Sequence, residues 1–390
     1  MNTNCTGSYR SIAADRGTKV RSLYLGLCAF VMAVAANAGE PRIITFDAPG
    51  AGTGSGQGTG CFAYTDCSVL INNFGAITGY YLDANNVFHG FLRSPEGTFT
   101  NFEAPGSDTN PNDFNGTFPN AINDAGAITG VYYDVKNVGH GFLRSPEGAF
   151  TTFDPPGSLG TNPIALNLEG AVVGYYANQN GVIRAFLRRP DGTIETWSGP
   201  GAQATGAYNT NIFGTTVGHY RDNSSVGHGL VRSPLGKLTT FDAPGAGTAS
   251  GQGTECPGCS VGFNLFGAEA GLYIDGNNVV HGFLRSPVGE ITTFDPPGES
   301  ALYGLGCYND CAIGLNDWGA ITSSYLDANN VYHGFLRSPE GTFITFEAPG
   351  ADTTPNDFNG TFPYSINDQG VITGYYIDAN DVNHGFLLLP

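Results

Sequence analysis

Residues 74–106 read FGAITGYYLDANNVFHGFLRSPEGTFTNFEAPG, and variants of this stretch recur to the C-terminus. Its His-Gly-Phe-Leu-Arg-Ser-Pro heart returns at His89, His140, His228, His281 and His333, is altered at Arg184 (RAFLRRP) and is cut short at His384 (HGFLLLP). A second marker, Asn-x-x-Gly, begins at Asn72, Asn123, Asn167, Asn211, Asn264, Asn316 and Asn367. Both markers count seven units, spaced 44 to 53 residues apart. A period of that size belongs to solenoids, propellers and repeat arrays.

Each unit carries four strand signals. In unit two these are a short run at residues 120–123, a β-branched and aromatic run at 127–133, a third around the histidine, and a fourth after Ser-Pro-Glu-Gly. Pro suits the second position of a turn and Gly the last. The 58 Gly and 23 Pro of the chain fit many short strands and tight turns. Residues 42–50 (RIITFDAPG) match the end of a unit, yet no unit precedes them, and the last unit stops at Pro390 without that segment. The expectation is all-β: a seven-bladed β-propeller of four-stranded antiparallel blades, its ring closed by the N-terminal strand.

The first 38 residues read as a signal peptide: Arg10, Arg16, Lys19 and Arg21, an apolar run at 23–36, then Ala36-Asn37-Ala38. Residues 39–390 form the propeller domain of a secreted, extracellular or periplasmic protein. No later stretch reads as a membrane span. Losing residues 1–38 removes four basic residues and Asp15, leaving 12 basic against 33 acidic and a net charge of −21. Such a surface repels phosphate backbones, so nucleic acid is excluded as a partner. Net charge of this size also favours solubility, and a monomer is expected.

Six cysteines fall in three local pairs, Cys61 with Cys67, Cys256 with Cys259 and Cys307 with Cys311, each in the loop before Asn-x-x-Gly. Export points to disulfides pinning these loops; zinc shared between two loops is the alternative. Cys256-Pro-Gly-Cys259 has redox-pair spacing but no helix start to activate it.

The pattern Ile-Asn-Asp-x-Gly-x-Ile-Thr-Gly-Tyr-Tyr, then His-Gly-Phe-Leu, then Gly-Thr-Phe, resembles the bacterial extracellular HAF repeats, in which His-Ala-Phe is the usual core. The resemblance spans nearly the whole mature chain and implies an exported repeat protein. It implies no particular activity.

The recurring constellation is Asp-x5-His: Asp83/His89, Asp134/His140, Asp222/His228, Asp275/His281, Asp327/His333 and Asp378/His384. Unit three has neither partner, which suggests that the two side chains interact. Six copies point to pairs that pin each hairpin; one catalytic site needs only one. Arg93, Arg144, Arg188, Arg232, Arg285 and Arg337 recur on the third strand, where pairing with fourth-strand carboxylates such as Glu103, Asp154 and Asp242 is expected. The loops 107–117 and 351–361 offer Asp108, Asp113, Asp352 and Asp357 to calcium, although their spacing departs from the regular calcium loop. No other cofactor is implied. Departures from the repeat cluster in units three and four: Arg184, Trp197, His219, Tyr220 and Arg221 are the candidate ligand-binding residues. The chain thus reads as a binding or structural module for a glycan, a protein or another extracellular ligand. No nucleophile–base arrangement stands apart from the repeat. A lyase or hydrolase at units three and four, and a calcium-stabilised structural protein, are the alternatives.

Overall fold

The computed structural model describes residues 42–60, 69–255, 261–305 and 312–390, all within one compact unit, Glu40–Pro390. Every regular element among them is a β-strand. No helix of the described residues is long and apolar enough to cross a membrane. The signal-peptide reading lies outside the described residues.

The same is true of the cysteines. Cys61, Cys67, Cys256, Cys259 and Cys307 are not among the described residues. Cys311, expected in a disulfide with Cys307, also lies outside them.

Unit two shows how a unit is made. Its strands Thr117–Ile122, Ile128–Tyr133, Gly139–Arg144 and Phe150–Phe153 pair antiparallel in chain order. Local chemistry sets each turn. The Asn123 side-chain oxygen accepts from the Ala127 amide (2.9 Å), and Gly126 takes φ 84°, a conformation that strains other residues. Asp134 Oδ1 accepts from the amides of Lys136 and Val138, while Asn137 turns the chain at φ 58°. Ser145 Oγ accepts from the Ala149 amide to close Ser-Pro-Glu-Gly. A Cβ on Gly130 would lie 2.0 Å from the Phe118 carbonyl oxygen, so glycine lets the bulged first strand approach.

The core lies between units. Third-strand phenylalanines are sealed from solvent and meet the fourth-strand ring of the preceding unit edge-on: Phe142 against Phe102, Phe186 against Phe153, Phe335 against Phe294. The guanidiniums of Arg144, Arg188, Arg232, Arg285 and Arg337 lie 4.7–5.2 Å over Phe102, Phe153, Trp197, Phe241 and Phe294. This corrects the expected pairing of these arginines with Glu103, Asp154 and Asp242. The register sets Arg144 opposite Phe150, so Asp154 lies four residues further along the hairpin, beside His140. At about 3.3 Å per residue, arginine and carboxylate are too far apart. Arg232 also donates to a carboxylate, Glu195 Oε2 at 2.7 Å.

The first and last strands of the described residues pair. Arg42–Phe46 pairs antiparallel with Asn383–Leu389, from Arg42 opposite Leu389 to Phe46 opposite Gly385, and so stands as the fourth strand of unit seven. Phe46 in turn packs on Phe91 and lies under Arg93 of unit one. The marker asparagines link neighbouring units. Asn72 donates to the Asn123 carbonyl, Asn123 to that of Asn167, and Asn167 to that of Asn211, each at 3.0 Å. Asn209 donates to the Val261 carbonyl (3.0 Å). Asn264 donates to Asn316, Asn316 to Asn367, and Asn367 to the Asn72 carbonyl, at 3.2–3.3 Å.

Candidate functional site

Two kinds of site can be built from these units: those that repeat and those that occur once. The histidine of the repeat has two carboxylate neighbours. Its Nε2 lies 3.5–3.8 Å from the aspartate of Asp-x5-His in all six pairs. Its Nδ1 hydrogen-bonds a fourth-strand carboxylate, at 2.7–2.9 Å for His140 with Asp154, His228 with Asp242, His281 with Asp295 and His384 with Asp47. His89 bonds Glu103 and His333 bonds Glu347 in the same way. Each ring also stacks on a second-strand tyrosine, as His228 does on Tyr220 at 5.0 Å. The aspartate's first task is its own turn, where Oδ1 holds two backbone amides. Burial alone would pull the His89 pKa down, yet Glu103 and Asp83 leave it above the usual value. Bonds to Glu347 and Asp47 likewise raise His333 and His384.

In unit three, Asn178 takes over the aspartate's turn and Arg184 occupies the histidine's place, donating to Ser198 where other units carry the carboxylate. Trp197 lies under Arg232 as phenylalanines do elsewhere. Tyr220 is the stacking partner of His228. Arg184, Trp197 and Tyr220 therefore fill repeat positions and do not converge with His219 and Arg221.

His219 and Arg221 do converge, on a residue the sequence reading missed. On strand Thr216–Arg221 they share one face, and Glu255 lies against both. Arg221 Nε donates to Glu255 Oε1, and His219 Nε2 stands 3.8 Å from Glu255 Oε2. The Glu255 side chain is 1% exposed. Gly227 makes room for it, since a Cβ there would lie 2.0 Å from Glu255 Cγ. The loop GQGTE repeats the earlier GQGTG, with Glu255 where Gly60 stands; that one difference was the available signal.

These three residues border a cavity of about 210 Å³, completed by Tyr175, Tyr208 and the first strand of unit four around Gly206. In units two and seven the position of Gly206 carries the buried Phe118 and Phe362; here a Cβ at Gly206 would lie 2.4 Å from the Tyr208 ring, so glycine lets that ring lie against the strand. Tyr208 stacks on His219 at 4.3 Å. Burial, reinforced by Arg221, lowers the His219 pKa to about 3, so its imidazole is neutral at physiological pH. Burial raises Glu255 against the pull of Arg221. Deeper in, His219 and Glu255 also border a void of about 10 Å³, one of whose walls is Glu269.

A second cavity, of about 220 Å³, is lined by first-strand segments of all seven units, among them Leu70, Ala121, Ile164, Asn209, Ile313 and Tyr364. It is mostly apolar.

The proposed calcium ligands serve their own loops. Asp108 accepts from the Asn110 amide and from Asn115, and Asp352 from Thr354 and Asn359. Asp113 and Asp357 are exposed. Among the described residues, none of the four belongs to a group of three or more His, Cys, Asp or Glu side chains with ligating atoms within 4.8 Å of one another.

No protein-family model and no curated protein matches the sequence. Solved structures do resemble the fold. Virginiamycin B lyase from Staphylococcus aureus superposes with a TM-score of 0.54 at 14% identity, covering 90% of this chain and all of that one. The lectin BP39L from Burkholderia pseudomallei gives 0.53 at 9% identity, over 83% and 96% of the two chains. A fucose-recognising lectin from Aleuria aurantia, described as a six-bladed β-propeller, is a weaker likeness at 0.41, with 10% identity over 71% and 92%. The fold is all-β and of the propeller type.

Proposed function

We propose that this chain is an exported, seven-bladed β-propeller of the HAF-repeat kind, closed by its N-terminal strand, which binds a carbohydrate in the cleft between units three and four. The closed ring is supported by the asparagine bonds that return from Asn367 to Asn72, by the pairing of Arg42–Phe46 with Asn383–Leu389, and by the axial cavity to which all seven units contribute.

The observation that carries the binding reading is the cavity of about 210 Å³ between Tyr175, Tyr208 and the Arg221–Glu255 pair. Its walls offer two tyrosine rings and the Arg221–Glu255 pair. Flat aromatic faces beside a few fixed polar groups suit a sugar, whose ring presents C–H faces and hydroxyls together. The lectin likeness is one of fold and adds only that propellers can do this.

The test is a glycan array followed by titration of any hit. The variant Arg221→Met/Glu255→Gln removes both charges together, so no buried charge is left unpaired. It is expected to weaken binding at least about tenfold, the equivalent of losing one charged hydrogen bond, with little change in melting temperature. Unchanged affinity would place the ligand elsewhere.

Export carries with it the pairing of Cys61 with Cys67, Cys256 with Cys259 and Cys307 with Cys311 as disulfides. All six should resist alkylation in unfolded, unreduced protein and react after reduction. Labelling of Cys311 or any of the other five before reduction would reject the pairing.

A second reading has one observation in its favour. His219 Nε2 stands 3.8 Å from Glu255 Oε2 at the edge of the cavity, an imidazole and a carboxylate placed to act together on a substrate proton, as in a lyase or hydrolase. Turnover of a bound glycan that is lost in His219→Gln while binding persists would establish it; a bound but unchanged glycan rejects it.

A further inference from the structure

Unit five carries an acidic residue after its fourth strand that no repeat feature explains. Four residues after the fourth-strand carboxylate, the other units carry Ala51, Ser107, Ser158, Ala202, Ala246 and Ala351; unit five carries Glu299. We propose that His281, Asp295 and Glu299 form a binding site for one divalent transition-metal cation, of the Mn²⁺ or Zn²⁺ kind.

The geometry supports this in two ways. One ligating atom from each of the three residues lies within 4.8 Å of the other two, the only such grouping among the described residues. Glu299 Oε2 is shielded from solvent and has no hydrogen-bond partner. A buried carboxylate oxygen left so is unfavourable unless protonated or coordinated.

The histidine is already oriented for the task. His281 Nδ1 faces Asp295 at 2.8 Å, while Nε2 lies 3.7 Å from Asp275 Oδ2 and the ring stacks on Tyr273 at 5.0 Å. With Nδ1 turned to a metal, Nε2–H points at Asp275, the carboxylate–histidine–metal order that fixes ring and tautomer. One nitrogen and two carboxylates give a neutral site with a dication and suit borderline metals better than an all-oxygen calcium site. Asp295 is 44% exposed, so water can complete the coordination. The five other Asp–His–carboxylate sets lack the third carboxylate and act as internal controls.

Mn²⁺ is the probe, because it avoids thiols and its aqueous ion is counted by electron paramagnetic resonance. Metal-stripped full-length protein is titrated beside Glu299→Ala, which installs the residue that four other units already accept, and Asp295→Asn. The expected result is one equivalent bound by the native chain and absent, or weakened at least about tenfold, in both variants. Zn²⁺ is expected to displace it at concentrations where Ca²⁺ does not, following ligand preference. Equal Mn²⁺ binding by native protein and Glu299→Ala, no binding by either, or displacement by Ca²⁺ as readily as by Zn²⁺ would each overturn the proposal.

Discussion

Replacing Glu269 with isoleucine is expected to stabilise the protein, and by more as the pH rises. Glu269 opens the second strand of unit five, where Ile77, Ile128, Ile321 and Ile372 open theirs. It is 1% exposed and its Oε2 has no partner. Burial raises its pKa to about 8, although Arg285, opposite it on the next strand, pulls the other way. An unfolded glutamate ionises near 4.5. Below that pH both states hold the proton and the site does not weigh on stability. Between 4.5 and about 8 only the unfolded chain ionises, so folded stability declines steadily; above 8 the loss is complete. At about 1.4 kcal/mol per pH step this amounts to on the order of 5 kcal/mol, an upper bound because the site can relax. Isoleucine abolishes the decline and leaves Arg285 as Arg93, Arg144 and Arg337 already are, over a phenylalanine with isoleucine below. The assay is urea unfolding of both proteins at pH 5, 7 and 9. Glu299 titrates in both and cancels in the difference. A stability difference that stays flat across pH, or a less stable variant at pH 9, would refute the reasoning.

Other perturbations reach different parts of the ring. Asn367→Ala removes a donor to Asn72 and leaves the Gln369 and Val371 amides without their acceptor, so the urea midpoint should fall by the equivalent of about 1–3 kcal/mol. Phe102→Ala takes away the ring beneath Arg144 and beside Phe142; about 3–5 kcal/mol should be lost in the same assay. In Asp47→Asn, the His384 pKa followed by NMR should drop. Its raised folded value stabilises the native protein fully below pH 6.5, a contribution lost as pH climbs through the folded pKa, and the variant should lack much of that dependence.

What could be read from the sequence was what is local. The turns are fixed by Asn123 with Gly126, by Asp134 and by Ser145, within five residues each, and strand pairing follows from them. Contacts across the hairpin are set by register, which the sequence does not display. The fourth-strand carboxylates pair with histidine and not with arginine, because the step from His140 to Asp154 spans 14 residues and becomes visible only once Phe150 is placed opposite Arg144. The paired change to Arg184 and Ser198 in unit three was the clue. Trp197 looked like a ligand residue because it breaks the pattern, yet it performs the phenylalanine's task. Glu255, Glu269 and Glu299 are hard to read for the opposite reason. Each is a single acidic letter inside a well-copied stretch, and its meaning depends on burial. Aligning the units position by position exposes all three. The cysteine pairs, down to Cys307 and Cys311, rest on spacing and export alone, because all six lie outside the described residues.

Hydrogen exchange, read by mass spectrometry on the peptides covering residues 42–47 and 383–389, tests the closed ring most directly. If the N-terminal segment completes the seventh blade, both peptides are strongly protected and lose protection together as denaturant is added. Exchange of residues 42–47 at the rate of a free peptide, while 383–389 stays protected, would contradict it.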